Sequence, residues 1–292
     1  MLMSFRPVNV IQPAVPTAVP AHRAGEQMWT SERWIGYFRR NRTRLMEVPW
    51  DRGVAFSPAE RAAVVDSLRE FQLGESGEGN YFRSLARKWA ARSGDLAYVE
   101  AQDLFLAEEH RHSRDLGRVL DLAGEPRATE LKVDNAFRVL RKLAGLELAI
   151  VMLVSAEMVA QVYYPCLGRA TESPVLRTLC RQICRDEAQH IRFQCQRLAI
   201  LRQNKWRLRN ALATFAQRCL LILISQILWP KHGPTLRRGG LTRWTFARSL
   251  MSKFNVAARL SDPRTYAQRV PGRRDCECLQ SCGGTDKTCT LR

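Results

Sequence analysis

Glu108-Glu109-His110-Arg111-His112 decides how this chain is read, and Asp186-Glu187-Ala188-Gln189-His190 repeats its chemistry. Each stretch holds a Glu-x-x-His pair preceded by a second acid. Each also lies in a long helical pattern of apolar residues. On a helix, positions i and i+3 share a face one turn apart. Glu109 therefore projects with His112, and Glu187 with His190. A carboxylate oxygen and an imidazole nitrogen so placed can bind one metal ion. The two pairs stand 78 residues apart. They can hold two ions if their helices face each other.

Working outward, the remaining helices should each add an inward carboxylate. Glu157 lies within Ser155-Ala156-Glu157-Met158-Val159, where a buried charge is costly unless paired or bound to metal. Upstream, Glu75 and Glu78 both fall in Gly74-Glu75-Ser76-Gly77-Glu78-Gly79. Glu157 precedes Glu187 by 30 residues, Glu75 precedes Glu109 by 34, and Glu78 precedes it by 31. Two antiparallel helices joined by a short turn use about that much chain. The acids Glu108 and Asp186 are expected to accept hydrogen bonds from the opposite metal-bound imidazoles and to fix their tautomers. Taken singly, each of these residues reads as an ordinary satisfied core or surface group. It is their joint spacing that points to a metal centre.

Helix signals frame these residues. Ser31-Glu32-Arg33 opens a short amphipathic helix through Trp34, Ile35, Tyr37 and Phe38, expected to end near Leu45. Ser57-Pro58-Ala59-Glu60 is a capping-box start. The apolar register Val64, Leu68, Phe71, Phe82, Leu85, Trp89 predicts one helix over 58–92, continuous through the three glycines. Helices over 96–122, 135–167 and 174–201 follow. The third is almost wholly apolar from Leu143 to Val162, which raises a membrane span. Its Glu147, Glu157 and Gln161 favour a buried central helix instead. A fifth helix, 208–229, carries the apolar run Cys219–Trp229, which is too short to cross a bilayer. That run fits either packing across the bundle or lying on a membrane surface. After Gly239-Gly240, a basic amphipathic helix presents Trp244, Ala247, Met251 and Phe254 as its stripe, with Phe246 and Leu250 beside it. The chain thus divides into a Pro-rich arm (1–27) read as disordered, a short helix and linker (28–56), a helical domain (57–204), accessory helices (205–260) and a basic Cys-containing tail (261–292).

At this point the sequence resembles the ferritin-like di-iron carboxylate proteins, which take one Glu from each of two helices and Glu-x-x-His from each of two others. The resemblance covers about 58–203. Gly74-Glu75-Ser76, and the interval from Gly94 to Glu109, are also similar to rubrerythrins. That favours Glu75, whereas matched half-spacing favours Glu78. The Cys-x-x-Cys knuckles of a rubredoxin module are missing, so rubrerythrin's peroxidase role is not implied. The resemblance implies an all-α, ferritin-like four-helix bundle with extra terminal helices. It implies two iron ions, with manganese or mixed Mn/Fe as variants. Glu75 or Glu78, Glu109, His112, Glu157, Glu187 and His190 would be the ligands. Such hard oxygen/nitrogen sites suit iron or manganese. The implied activity is an O2-dependent oxidase or oxygenase acting on an organic substrate, with an unspecified electron donor. Its rivals are iron oxidation or peroxide handling, and a membrane- or nucleic-acid-associated binding protein with a structural metal site.

Composition bounds the rest. The chain has 292 residues, is 46% hydrophobic and carries a net charge of +18. It can bury a large core, and wholesale disorder is excluded. Residues 231–292 hold 13 Lys+Arg against 4 Asp+Glu, half of the net charge. That suggests contact of the C-terminal region with anionic membrane or nucleic acid, against a merely solvated basic surface. Of nine cysteines, Cys166, Cys180, Cys184, Cys195 and Cys219 read as buried small apolar residues of a reduced protein. Cys276, Cys278, Cys282 and Cys289 follow no established zinc spacing. Tyr163 and Tyr164 read as core aromatics two turns beyond Glu157. His110 is expected at the surface, and Glu147 at an angle unsuited to the site. No signal peptide is evident, so a cytoplasmic location, with peripheral membrane contact, is expected; a homodimer is compatible with the sequence.

Overall fold

Among the described residues the fold comprises eight α-helices and two short 3-10 turns, with no strand. The computed structural model describes residues 27–77, 79–129 and 145–266. Glu78, the Pro-rich arm, residues 130–144 and the four tail cysteines lie outside them; the helix expected over 135–167 is corrected to begin at Leu146, after an extended Gly145.

Helix α1 (Ser31–Asn41) starts where Thr30 accepts a hydrogen bond from the Arg33 amide. It buries Trp34, Ile35, Phe38 and Asn41. It stops at Asn41 rather than near Leu45, because the next residues turn back in 3-10 fashion, Thr43 N–H to Arg40 and Arg44 N–H to Asn41. Helix α2 (Pro58–Gly74) carries the expected capping box, with Ser57 and Glu60 exchanging hydrogen bonds.

The continuous helix expected over 58–92 is corrected to two. α2 ends at Gly74, and α3 (Asn80–Ser93) begins after Gly79, whose φ is +66°. A Cβ at Gly79 would fall 2.6 Å from Leu106 Cδ1. The left-handed backbone and the close approach therefore both require glycine there. The apolar register persists across the break because α2 and α3 both pack against the following helix, α4 (Ala97–Leu122).

Asp95 receives the Tyr98 amide at the start of α4, at 3.2 Å. Gly124 closes that helix at a φ of +68°. α5 (Leu146–Ala170) is the central helix, with Ile150, Val154, Met158, Tyr163 and Leu167 fully or almost fully buried. α6 (Pro174–Arg202) begins where Ser173 accepts from the Leu176 amide. α2, α4, α5 and α6 touch one another around a single core, α1 lies on α4, and α3 also meets α5.

The C-terminal pair departs from expectation twice. α7 (Arg207–Arg238) runs past Trp229 and through Pro230 and Pro234. Both prolines sit on the exposed side, where water can meet the carbonyls left without an amide partner. α8 (Arg243–Leu260) buries Phe246, Leu250, Phe254 and Ala257. Trp244 is not part of that stripe, being 85% exposed. The inward face is centred on Phe246 and Leu250 instead, turned around the helix axis from Trp244, which shares the first turn with the buried Phe246.

Candidate metal centre

Helical spacing brings the predicted residues together. Glu109 and His112 project from the middle of α4, and Glu187 and His190 from α6. Glu157 comes from α5, and Glu75 caps the C-terminus of α2. Their ligand-type atoms form two overlapping groups: Glu75, Glu109, His112, Glu187, and Glu109, Glu157, Glu187, His190. Within each group these atoms lie within 4.8 Å of one another. Glu109 and Glu187 belong to both groups. Each group adds one carboxylate and one imidazole of its own. Of the two upstream candidates, Glu75 stands in the cluster, and Glu78 lies outside the described residues.

Glu75, the C-cap of α2, keeps helical backbone with its amide bonded to the Phe71 carbonyl, and Tyr164 on α5 donates its phenolic hydrogen to Glu75 Oε1 at 2.5 Å. Tyr164 thus lies at the cluster's edge. Tyr163 points elsewhere, stacking on Phe71 and hydrogen-bonding Ser67 at 2.8 Å.

The two imidazoles are cross-braced. His112 Nε2 of α4 meets Asp186 Oδ2 of α6 at 3.2 Å, and His190 Nε2 of α6 meets Glu108 Oε2 of α4 at 2.9 Å. Both Nδ1 atoms face the shared carboxylates: His112 Nδ1 is 3.3 Å from Glu187 Oε1, and His190 Nδ1 is 2.8 Å from Glu109 Oε1. A third layer holds the bracing acids. Asn41 donates to Glu108 at 2.7 Å and to Asp186 at 2.9 Å. Arg111 pairs with Asp186 at 2.5 Å, and Gln182 donates to both its oxygens. Phe38 and Phe105 wall the His190 ring.

Electrostatics follows from crowding four carboxylates, Glu75, Glu109, Glu157 and Glu187, together. Burial, then repulsion from Glu109 and Glu187, pushes Glu75 and Glu157 well above the usual carboxylate range. Burial works against a charged His112, yet hydrogen bonds to Asp186 and Glu187 win and raise it to about 10. His190 is raised for the same reason, by Glu187, Glu109 and Glu108. Burial opposes ionisation of Asp186, but His112, Arg111 and Asn41 hold it at about 2. Protons are thus drawn into the cluster as counter-charge, which is the demand that a cation meets.

The donor chemistry fits a metal. Glu109 Oε1, Glu157 Oε1, Glu187 Oε1 and His112 Nδ1 are buried with no well-aligned hydrogen bond and no partner outside the cluster. Leaving such atoms unsatisfied costs about 1–3 kcal/mol each, more when charged. All four belong to the cluster, and a cation among them would satisfy them together.

Other expectations resolve locally. Glu147 binds Arg202, Lys205 and Arg209 at the surface end of α5, away from the cluster. His110 is half-buried rather than at the open surface, with Nε2 3.0 Å from the Gly77 carbonyl. Cys166, Cys180, Cys184 and Cys195 are buried thiols, whereas Cys219 is exposed, contrary to expectation, because its side of α7 faces away from the core. Asn41 was not anticipated. Its signal was present: Trp34, Phe38 and Asn41 follow i, i+4, i+7, placing an amide on the buried stripe of α1.

Comparison with protein families, with characterised proteins and with solved structures finds no match to this chain. What fold and site define is an all-helical protein with a buried Glu/His cluster able to hold metal.

Proposed function

We propose that this chain is a ferritin-like di-iron carboxylate protein, with α2, α4, α5 and α6 as its four-helix bundle, and that it uses O2 to oxidise an organic substrate. The observation that carries this reading is the sharing of Glu109 and Glu187 by two ligand groups. Glu109 and Glu187 would be common to two ions, with Glu75/His112 completing one and Glu157/His190 the other. Glutamate and imidazole donors favour iron or manganese over thiolate-loving metals. Bound iron would supply the electrons for O2 reduction.

The chain's own residues do the remaining work. Glu108 and Asp186 fix the Nε2–H tautomer, so that each Nδ1 lone pair points inward. Phe38, Phe105 and Tyr164 exclude bulk water from most of the cluster. Glu75 and Glu109 are the least buried of the six, which supports an approach for small molecules from the α2–α4 side.

The test is metal analysis followed by oxygen uptake. Purified chain reconstituted with ferrous iron should hold two irons per chain and consume O2. Glu109→Ala and Glu187→Ala should abolish both. A folded chain that binds no iron would remove the central claim. Stoichiometric iron oxidation without oxidation of any organic compound would assign the chain to iron handling instead.

A further inference from the structure

α7 has two opposite faces with different fates. Leu221, Ser225, His232, Thr235 and Leu236 pack inward. The inner face is fastened along its length. Thr235 Oγ1 donates to the Ala63 carbonyl at 2.6 Å, His232 Nδ1 meets Ser67 at 2.8 Å, and Arg209 near the start pairs with Glu147 at 2.6 Å. The helix therefore lies flat along the bundle over about 48 Å. It is long and apolar enough to cross a membrane, yet these anchors hold it lengthwise against a bundle with polar faces.

The outer face is apolar and uncovered by any described residue. Leu208, Leu212, Phe215, Ile222, Leu223 and Ile227 recur at helical spacing and are all exposed, Leu208 at 70% and Phe215 at 64%. A stripe of this size on a folded surface marks an interaction site. Its two ends carry tryptophans. Trp206, at the start of α7, is 86% exposed, and Trp244 is 85% exposed. Trp244 belongs to this surface because its neighbour Arg243 hydrogen-bonds Gln226 of α7.

Charge selects the occupant. From Lys205 to Ser261 there are eleven Lys and Arg and no Asp or Glu. Arg207 and Arg218 are exposed along one margin of the stripe, and Arg243 and Arg248 are exposed on α8. A second copy docked on this face would bring cations against cations with no carboxylate to meet them. A nucleic acid would satisfy the arginines but leave the Leu/Ile/Phe stripe without an apolar partner. Anionic lipid satisfies both, since acyl chains take the stripe, phosphates take the arginines, and indoles favour the boundary between them.

We propose that α7, with the first turn of α8, is an in-plane docking surface for anionic lipid membrane, holding the bundle on the bilayer without crossing it. This stands independently of the metal centre.

The test is co-sedimentation of the full chain with phosphatidylcholine vesicles, with and without phosphatidylglycerol. The wild-type chain should pellet with the anionic vesicles and be released by high salt. The triple variant Leu212→Ser, Phe215→Ser, Leu223→Ser should lose binding by about tenfold or more. Its helical circular dichroism should be unchanged, because all three side chains are exposed. Arg207→Gln with Arg218→Gln should weaken binding to the anionic vesicles alone. Vesicle binding that survives the triple substitution overturns the proposal. So does a wild-type dimer that the triple variant dissociates, with no vesicle binding by either, and so does DNA binding in place of vesicle binding.

Discussion

Tyr164 donates its phenolic O–H to Glu75 Oε1 at 2.5 Å, tying the central helix α5 to the one candidate ligand that stands at a helix end. The other five lie within helices and are aimed by their own backbone. Glu75 needs outside help, and Tyr164→Phe removes it. The expected result is a roughly tenfold weaker second metal-binding step, with the first little changed. Stepwise metal titration reads this directly; equal loss in both steps would mean that Tyr164 supports the whole cluster.

Sharing of Glu109 and Glu187 predicts an asymmetry among ligand substitutions. Glu109→Ala and Glu187→Ala each touch both groups and should abolish binding of both ions. Glu75→Ala and Glu157→Ala each touch one group and should leave about one ion per chain. Metal analysis of the four variants checks this. One ion lost in every case would show that no carboxylate is shared.

Asn41 holds Glu108 and Asp186 in place from outside the bundle. Asn41→Ala leaves two buried acids each short of a donor, at a cost of about 1–3 kcal/mol of folding stability. Metal affinity should fall about 10- to 100-fold through misaligned imidazoles. Thermal melts and metal titration together test both effects, and unchanged affinity would reduce Asn41 to a packing role.

Glu75, Glu157, His112 and His190 all have raised pKa values. Each holds its proton to higher pH than the free group does, and a metal must displace it, so binding should release protons and tighten as pH rises. Calorimetric titration in buffers of different ionisation enthalpy measures the number released. Binding with no proton release, and no dependence on pH, would contradict the proposed ligand set.

Glu147 behaves oppositely. Burial raises its pKa, but Arg209, Lys205 and Arg202 overcome that and lower it to about 2 from 4.5. Its ion-pair network therefore stabilises the fold fully above pH 4.5, and that contribution is lost as pH falls toward 2. Because the pairs are partly exposed, about 1 kcal/mol is at stake. Glu147→Gln should flatten that part of the acid-denaturation curve, and an unaltered curve would count against the network.

The candidate ligands on α4, α5 and α6 were legible because Glu-x-x-His spacing and an isolated acid in an apolar helix are local patterns. The crossed bracing by Glu108 and Asp186 followed from the same spacing. Asn41 was harder to see, since its partners lie 67 and 145 residues away and only tertiary packing joins them. The break at Gly74–Gly79 was hidden by an apolar register that both helices share against α4. Trp244 was misplaced because two apolar rows, one through Trp244 and one through Phe246, run side by side on α8 and periodicity does not say which turns inward.

The crossed imidazole bonds have a consequence for assembly. Each histidine takes its orienting acid from the helix opposite, so neither α4 nor α6 carries a finished half-site. A chain in which these helices have not yet docked has no oriented imidazole to offer. Any metal capture would thereby follow the docking of α4 on α6, since only the closed bundle presents both imidazoles oriented.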